Sequence, residues 1–430
     1  MSVHIRRILA TAFIVLSLGV AAAGRREPVA LAQEPEPLFA YTHQQPSNNR
    51  FVPGRGVMPF AIPLDIELAG QTQWLVAAPL RKGSVWVAVL ADGRVQAFDV
   101  VGKKATPLEI GPASLLAGSP PLLKIEDDAP SLIVLPAEAS PLAYPVALPG
   151  GEGRVAYVAQ NGDPVIFGVE GELARAAINA LPDARLLADD RRRILVLTDP
   201  TTRYEHGVLG DELEAGGAML MATEPQLAVV THLVFKDETV AEELAPLWAD
   251  LDDDRRREIM LTLSTTQGVA QIVAFNDKGV PLVGGPAAGE GRIWRHAIAV
   301  APFGPNGELE LAAVLAPHTD SVVEFYRWAQ YRLEVVAQLP GYASHAVGSR
   351  NLDQAAAGDF DGDGRVELLA PAQSLRSLAA IRRTADGAEE AWTVPLDGVL
   401  STNLAMVSLP DDRLAVGVGY GSKHLRLWLP

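Results

Sequence analysis

The sequence predicts an all-β protein and, more narrowly, a seven-bladed β-propeller of about four strands per blade. From about residue 62 onward, short runs of Val, Ile, Leu and Ala alternate with Gly, Asp, Asn and Pro. Such runs are typical of strands separated by turns. The chain contains 38 Gly and 32 Pro among 430 residues, which suits a turn-rich β protein better than a helical one. Residues 172–181 are compatible with a short helix, which periodicity alone does not decide.

One apolar run recurs along the chain at intervals of about 47 to 65 residues, which indicates an internal repeat. Most copies end in proline, which stops a strand rather than sitting inside it. At least one further strand-like segment follows each copy, and turns such as Asn276–Gly279 are hairpin signals. Seven such units match a propeller, whose blades number about four to eight. The copies begin at Trp74, Leu132, Ile194, Ile259, Leu311, Leu368 and Ala415.

The first 58 residues differ in texture from the rest of the chain. Residues 1–32 are predicted to be a signal peptide, with a basic arginine pair, an apolar run over Ile8–Val20 and a small-residue cleavage site at Ala30–Ala32. An uncleaved anchor is the alternative and would give a membrane-tethered structural protein, although the run is short for a span of about 20 residues. Residues 33–58 are polar and contain several prolines, which predicts a flexible linker before a propeller over residues 59–430.

Charge and composition narrow the functional classes. The formal net charge is −16, and the predicted signal peptide carries four of the arginines, so the mature chain is more acidic still. An acidic exported protein is a poor candidate for binding nucleic acid or anionic lipid, and a reasonable one for binding cations. The absence of cysteine excludes disulfides, thiolate metal sites and a cysteine nucleophile. We therefore expect a secreted or extracytoplasmic protein, at the cell surface or in the periplasm, with no membrane span after signal cleavage.

The most specific motif of the chain lies at residues 359–371. Asp359, Asp361 and Asp363 alternate at its first, third and fifth positions, a glycine is sixth, and Glu367 is ninth before an apolar run. Alternating carboxylates on a tight turn can converge on one hard cation, and Ca²⁺ takes about six to eight oxygen ligands. The motif is not an EF-hand, because position twelve is Ala370 rather than glutamate. A solvated acidic turn is the alternative interpretation.

A second, less regular copy lies at residues 250–258. Asp250, Asp252 and Asp254 occupy the same alternating positions, and Glu258 is ninth. Arg255 replaces the glycine at position six, where a left-handed conformation costs a non-glycine residue about 1–2 kcal/mol. The adjacent arginines also place positive charge beside an ion, so we expect this second calcium site to be weak or empty. A charged surface loop, or a helix with pairs of opposite charge, is the alternative.

The pattern Asp-x-Asp-x-Asp-Gly-x-x-Glu, followed by an apolar strand and Ala-Pro, resembles the FG-GAP repeats of integrin α-subunits. It is equally similar to the bacterial VCBS-type repeats, and Phe303–Gly304 with Leu315–Pro317 resembles the two ends for which the FG-GAP repeat is named. The resemblance implies a seven-bladed propeller in which a calcium loop joins the innermost strand of a blade to the next strand. It implies as ligands the side chains of Asp359, Asp361, Asp363 and Glu367 with the carbonyl of Arg365, and those of Asp250, Asp252, Asp254 and Glu258 with the carbonyl of Arg256.

Position nine is usually aspartate in that family, so Glu367 departs from the pattern. Its longer side chain is expected to bind through a water or to shift the ion. The resemblance further implies an exported, non-enzymatic, calcium-binding propeller that acts as a monomeric module for binding an extracellular protein or a carbohydrate.

The alternative is an extracytoplasmic enzyme, a lyase or hydrolase with its site in the propeller channel. Histidines near such a channel can ligate a transition metal or act as acid and base, although structural hydrogen bonding is the plainer interpretation. The sequence contains neither His-Glu-x-x-His nor Gly-x-Ser-x-Gly. The enzyme hypothesis requires the candidate histidines to converge rather than to lie on outer strands. These are His206, His232, His296 and His345.

Overall fold

The computed structural model describes residues 36–44, 47–142, 144–150, 153–204, 212–236, 238–288 and 294–430. Within these ranges the chain forms β-strands and no helix, which confirms the predicted all-β class. It follows that none of the described residues belongs to a helix that could cross a membrane. The predicted signal peptide lies outside the described residues.

The strands are short and follow one another closely along the chain. In order they are β1 (Leu38–Ala40), β2 (Phe51–Arg55), β3 (Leu64–Glu67), β4 (Thr72–Pro79), β5 (Ser84–Leu90), β6 (Val95–Val101), β7 (Lys104–Leu108), β8 (Leu123–Glu126), β9 (Ala129–Leu132), β10 (Val146–Ala147), β11 (Val155–Val158), β12 (Pro164–Gly168), β13 (Gly171–Arg175), β14 (Leu187–Ala188), β15 (Arg193–Thr201), β16 (Glu214–Ala222), β17 (Ala228–Val234), β18 (Thr239–Ala241), β19 (Leu247–Ala249), β20 (Glu258–Thr265), β21 (Ala270–Phe275), β22 (Pro281–Gly284), β23 (Arg295–Ala301), β24 (Glu310–Leu315), β25 (Val322–Ala329), β26 (Arg332–Pro340), β27 (Ala356–Asp359), β28 (Glu367–Pro371), β29 (Ser377–Thr384), β30 (Gly387–Pro395), β31 (Ala405–Ser408), β32 (Leu414–Tyr420) and β33 (His424–Trp428).

Most of these strands form antiparallel sheets in which each strand pairs with the next along the chain. Consecutive strands make up the four-stranded sets β4–β7, β10–β13, β14–β17, β23–β26 and β27–β30. Another set runs from β19 through β20 and β21 to β22, and β18 also pairs with β20. A single pairing between β16 and β18 joins this set to β14–β17 in one nine-stranded sheet.

Three N-terminal strands complete sheets that are formed by much later parts of the chain. Strand β1 pairs with β8, β2 lies parallel to β27, and β3 pairs with β33, with Leu64 opposite Leu427. The predicted flexible linker over residues 33–58 is therefore wrong for its described part, which begins at residue 36. Arg50 of this segment is only 2% exposed and donates hydrogen bonds to backbone carbonyl oxygens of Asp353, Ala355 and Leu404.

The structure also corrects the register of the repeat. The runs at Ile194, Ile259, Leu311, Leu368 and Ala415 all lie in the second strand of their sheets, namely β15, β20, β24, β28 and β32. Trp74 instead lies in the first strand, β4, and Leu132 ends β9 at the edge of the sheet β1-β8-β9. The corresponding second strands are β5 and β11, which lack the proline that ends the runs at Ile194, Leu311 and Leu368. Strand β13 occupies the first part of residues 172–181, where the sequence is also compatible with a short helix.

The core lies between neighbouring sheets and is built mainly from second strands. Every residue of β5 and of β28 is buried, whereas the fourth strands β17 and β30 each contain a single buried residue and are otherwise partly or fully exposed. Continuous apolar runs are expected where both faces of a strand are covered. One buried cluster joins Trp86 of β5 to Leu425 and Leu427 of β33, so the sheet β4–β7 packs against the sheet that contains β31–β33.

Candidate calcium loops and a buried polar centre

The loop 359–367 connects β27 to β28 and is shaped by its first aspartate. Asp359 accepts hydrogen bonds from the backbone N–H of Gly362 at 2.7 Å and of Gly364 at 3.0 Å. Both glycines have positive φ angles, of 79° and 90°, which glycine adopts without steric cost. The Asp-x-Asp-x-Asp-Gly spacing therefore folds as a tight turn with its carboxylates directed to one side.

Three carboxylates of this loop converge. Oxygens of Asp359, Asp361 and Glu367 lie within 4.8 Å of one another. Glu367 is fully buried, and its Oε2 accepts a hydrogen bond from the N–H of Phe360 at 3.1 Å. Burial raises the pKa of Glu367 to about 7 and also raises the pKa of Asp359. Such an all-oxygen set is the chemistry that Ca²⁺ prefers.

Arg382 on β29 already places a cation at the point where these side chains meet. Its Nη2 lies 2.6 Å from Glu367, 2.9 Å from Asp361 and 3.0 Å from Asp363. Trp392 adds a hydrogen bond from Nε1 to Asp361 at 3.2 Å. A calcium ion at this loop would therefore compete with the guanidinium of Arg382 for the same oxygens. The remaining expected ligand, the carbonyl of Arg365, belongs to a residue whose N–H donates to Asp363 at 2.8 Å.

The loop 250–258 connects β19 to β20 and repeats the same hydrogen-bonding scheme. Asp250 accepts from the N–H of Arg255 at 2.8 Å, and Glu258 accepts from the N–H of Leu251 at 2.8 Å. Carboxylate oxygens of Asp250, Asp252 and Asp254 lie within 4.8 Å of one another. Arg255 has a φ of 68°, so the left-handed conformation expected at position six is present in a non-glycine residue.

The two loops differ in their charge balance. The β20–β21 register places Asn276 opposite Glu258, in the position that Arg382 holds opposite Glu367. The Asn276 side chain accepts hydrogen bonds from the N–H groups of Lys278 and Val280, within its own turn. Among the described residues, no arginine or lysine forms an ion pair with the four acidic groups of this loop, and the nearby Arg257 pairs with Asp190 at 3.0 Å.

In both loops the pKa of the position-nine glutamate is raised. Burial, with the neighbouring aspartates adding to it, raises the pKa of Glu258 to about 7, and burial also raises the pKa of Asp252. A partial copy of the motif lies between β23 and β24, where Pro302 and Gly304 stand in place of the first two aspartates. Its position-nine Glu310 is paired with Arg327 at 2.6 Å and Arg383 at 2.9 Å. Of these three position-nine glutamates, Glu258 alone has no arginine partner among the described residues.

A buried ion-pair cluster, which the sequence does not reveal, joins three sheets. Asp353 contacts Arg185 at 2.7 Å and Arg50 at 3.2 Å, and the guanidinium of Arg185 lies 4.5 Å from the ring centre of Tyr144. All four residues are at most 2% exposed. Asp353 and Arg50 precede β27 and β2 of one sheet, Arg185 precedes β14, and Tyr144 precedes β10, so the four residues come from the starts of three sheets. No local spacing links these residues, and only the fold brings them together.

The structure places the candidate histidines in different parts of the fold. His232 lies on the outer strand β17, with Nε2 2.8 Å from Asp199, and His206 lies outside the described residues. His296 and His345 lie together, with ring centres 5.3 Å apart, and His318 joins them. Sequence reasoning missed His318 because it stands alone in a turn.

A cleft of about 530 Å³ opens beside the buried polar centre. Polar groups dominate its lining, with two aromatic side chains at its base. These residues are Gln73, Trp74, Tyr144, Arg350, Asn351 and Ser401.

Comparisons with known proteins assign no family to the chain. No family model matches it, and no curated protein matches it. Among solved structures, the chain is similar to a crystal structure of a mitotic checkpoint complex, with 12% sequence identity and a TM-score of 0.44. That similarity covers 86% of this chain and 95% of the other.

Proposed function

We propose that this chain is an exported, calcium-binding β-propeller that acts as a binding module for a protein or a glycan. Seven four-stranded sets, the number expected for seven blades, result when the nine-stranded sheet is divided into β14–β17 and β19–β22 and when β2 and β18 are counted as additional strands. The pairing of β3 with β33 and the packing of β5 on the sheet β31–β33 support a ring, because a propeller needs its first and last blades to meet. The three-stranded sheet β1-β8-β9 is treated as an addition to those seven.

Calcium binding at loop 250–258 rests on one observation above all. Four acidic side chains gather there, and none of them forms an ion pair with a described arginine or lysine, although Arg255 and Arg257 line the same hollow as Asp250. Bringing like charges together is unfavourable unless a cation binds or a proton is retained, and the neighbouring aspartates add to the burial that raises the pKa of Glu258. Ca²⁺ would be held by Asp250, Asp252, Asp254 and Glu258. It would stabilise the loop by cross-linking β19 and β20.

At loop 359–367 we propose that Ca²⁺ binds more weakly, in exchange for Arg382. This order is the reverse of the sequence-based expectation, which favoured the loop with the better glycine spacing. The left-handed Arg255 costs about 1–2 kcal/mol whether or not an ion is bound, since that conformation is already present in the turn. The cost therefore bears on folding more than on calcium affinity.

Calcium titration calorimetry and thermal melts test this proposal. We expect wild-type protein to bind one ion tightly and to melt at a higher temperature with millimolar Ca²⁺ than with EGTA. Asp252→Asn should abolish tight binding, whereas Asp411→Asn, at an exposed acid outside both loops, should not. Arg382→Ala should raise the number of tightly bound ions from one to two. Unchanged melting and no heat of binding in the wild type would contradict the proposal.

The cleft beside Trp74 is the proposed ligand site. Its amide, hydroxyl and guanidinium groups offer the directional hydrogen bonds that carbohydrates and peptide backbones require. A glycan array and a pull-down screen, each with and without Ca²⁺, would identify the ligand. Gln73→Ala and Arg350→Ala should weaken its binding, whereas Gln160→Ala, at an exposed position elsewhere, should not. Equal binding by all three variants would place the ligand outside the cleft.

A lyase or hydrolase activity is the second candidate. The convergence of His296 with His345 favours it, whereas His232 on an outer strand does not. Turnover of a polysaccharide or ester substrate that is lost in His345→Gln, and retained in His232→Gln, would support an enzyme. The absence of such turnover would leave the binding module as the better account.

A further inference from the structure

Three histidines from separate segments meet at one end of the sheet β23–β26. His296 is the second residue of β23, His318 lies in the turn between β24 and β25, and His345 follows β26. Because the four strands are antiparallel, the start of β23 and the ends of β24 and β26 fall at the same end of the sheet. The calcium loops differ in position, since they lie between the first and second strands of other sheets.

The contact between His318 and His345 is direct. Their Nε2 atoms are 2.8 Å apart, a distance at which one nitrogen donates a proton and the other accepts it. On the far side of the His345 ring, Nδ1 lies 2.9 Å from the hydroxyl of Ser344, which is fully buried. With Nδ1–H donating to Ser344, Nε2 presents its lone pair toward His318. A hydrogen bond of this kind is how proteins commonly orient a metal-binding histidine.

His296 brings a third imidazole to the same place. It is 7% exposed, and its Nδ1 has no hydrogen-bond partner among the residues that the structure describes. Its ring stacks on Trp294 and stands perpendicular to that of His345, with the two histidine centres 5.3 Å apart. Buried polar atoms are nearly always paired, so an unpaired ring nitrogen calls for a partner such as an ion.

We propose that His296, His318 and His345 form a binding site for a divalent transition-metal ion such as Zn²⁺. Imidazole nitrogens suit zinc, copper and nickel, whereas the carboxylate loops suit Ca²⁺. Two nitrogens at 2.0–2.1 Å from a tetrahedral ion lie about 3.3 Å apart, so the His318–His345 pair would open by about 0.5 Å. The ring nitrogens of the three histidines do not all lie within 4.8 Å of one another, so His296 would become the third ligand only after a side-chain rotation. A fourth position then remains for water or for an external ligand. This proposal stands independently of calcium binding.

Cobalt titration of the untagged, metal-stripped full-length protein tests the proposal, because Co²⁺ bound by imidazoles gives visible absorption bands. We expect one equivalent of Co²⁺ to bind, to be displaced by Zn²⁺, and to remain bound in excess Ca²⁺. His318→Gln is the main variant, since this half-buried turn residue can change without opening the core; it should remove the bands. Ser344→Ala should weaken binding by about 10–100-fold, as loss of an outer-shell hydrogen bond does.

His232→Gln is the matched control, because His232 is partly exposed and lies on β17, in a different sheet from the one at whose end the three histidines meet. It should bind Co²⁺ as the wild type does, and circular dichroism should show that every variant is folded. The proposal is overturned if wild-type protein gives no bands, if Ca²⁺ displaces the cobalt, or if folded His318→Gln and His345→Gln both bind Co²⁺ with unchanged affinity. Those results would leave the cluster as a proton-sharing structural contact.

Discussion

Replacing Arg50 by alanine is predicted to destabilise the fold by about 3–5 kcal/mol, the usual cost of breaking a buried ion pair. The Arg50 guanidinium donates hydrogen bonds to the carbonyl oxygens of Thr42, Asp353, Ala355 and Leu404 at 2.7–3.3 Å. It also contacts the Asp353 carboxylate at 3.2 Å. Each buried acceptor left unpaired costs about 1–3 kcal/mol, and water entering the vacated space recovers part of that sum. Because Arg185 still neutralises Asp353, the total should stay within the stated range.

Thermal unfolding measures this loss. The entropy of unfolding is about 2.1 cal/mol/K per residue, so for the roughly 395 residues from Glu36 to Pro430 the melting temperature should fall by about 4–6 °C. Arg55→Ala is the matched control, because Arg55 lies on the same N-terminal segment with its side chain exposed. It should change stability by less than about 0.5 kcal/mol. If Arg50→Ala melts within about one degree of the wild type, the N-terminal segment does not hold the sheets together as described.

Two further predictions concern pH and packing. In a chelating buffer, raising the pH from about 5 to about 7.5 should lower the melting temperature of wild-type protein relative to Glu258→Gln. The reason is that the pKa of Glu258 is raised from 4.5 to about 7, so the folded state retains a proton that the unfolded state has released; a constant difference between the two proteins would contradict this. Gly417→Ala should cost about 1–3 kcal/mol in urea denaturation, because the added Cβ would lie 2.3 Å from the Trp86 ring. Gly70→Ala, whose added Cβ meets nothing closer than 3.3 Å, should have a much smaller effect, and equal losses would refute the packing argument.

The fold class could be predicted from the sequence because its signal is local. Apolar runs punctuated by Gly, Asp and Pro specify strands and turns wherever they occur, and the described residues form strands without helices. The contribution of residues 36–58 could not be predicted in the same way. Strands β1 and β2 pair with partners far along the chain, and nothing in their own composition marks those partners.

The candidate sites likewise combine features that follow from neighbouring residues in the sequence with features that depend on contacts between distant residues. The clustering of Asp359 with Asp361 follows from spacing on one turn, and the sequence predicts it. The contact of Arg382 with the loop carboxylates depends on the register between β28 and β29. The absence of an arginine opposite Glu258 depends on the register between β20 and β21. Register is set by packing across the whole sheet, so a motif match alone could not rank the two loops.

The pairing of β3 with β33 imposes an order on how the protein can be made. Residues 64–67 are synthesised long before their partners at 424–427. Until those partners emerge, β3 presents unpaired backbone groups, which are a template for association with other chains. A product truncated before residue 424 would keep that exposed edge permanently. This sheet therefore distinguishes a chain that contains residues 424–427 from one that lacks them, and proteases or chaperones can act on that difference.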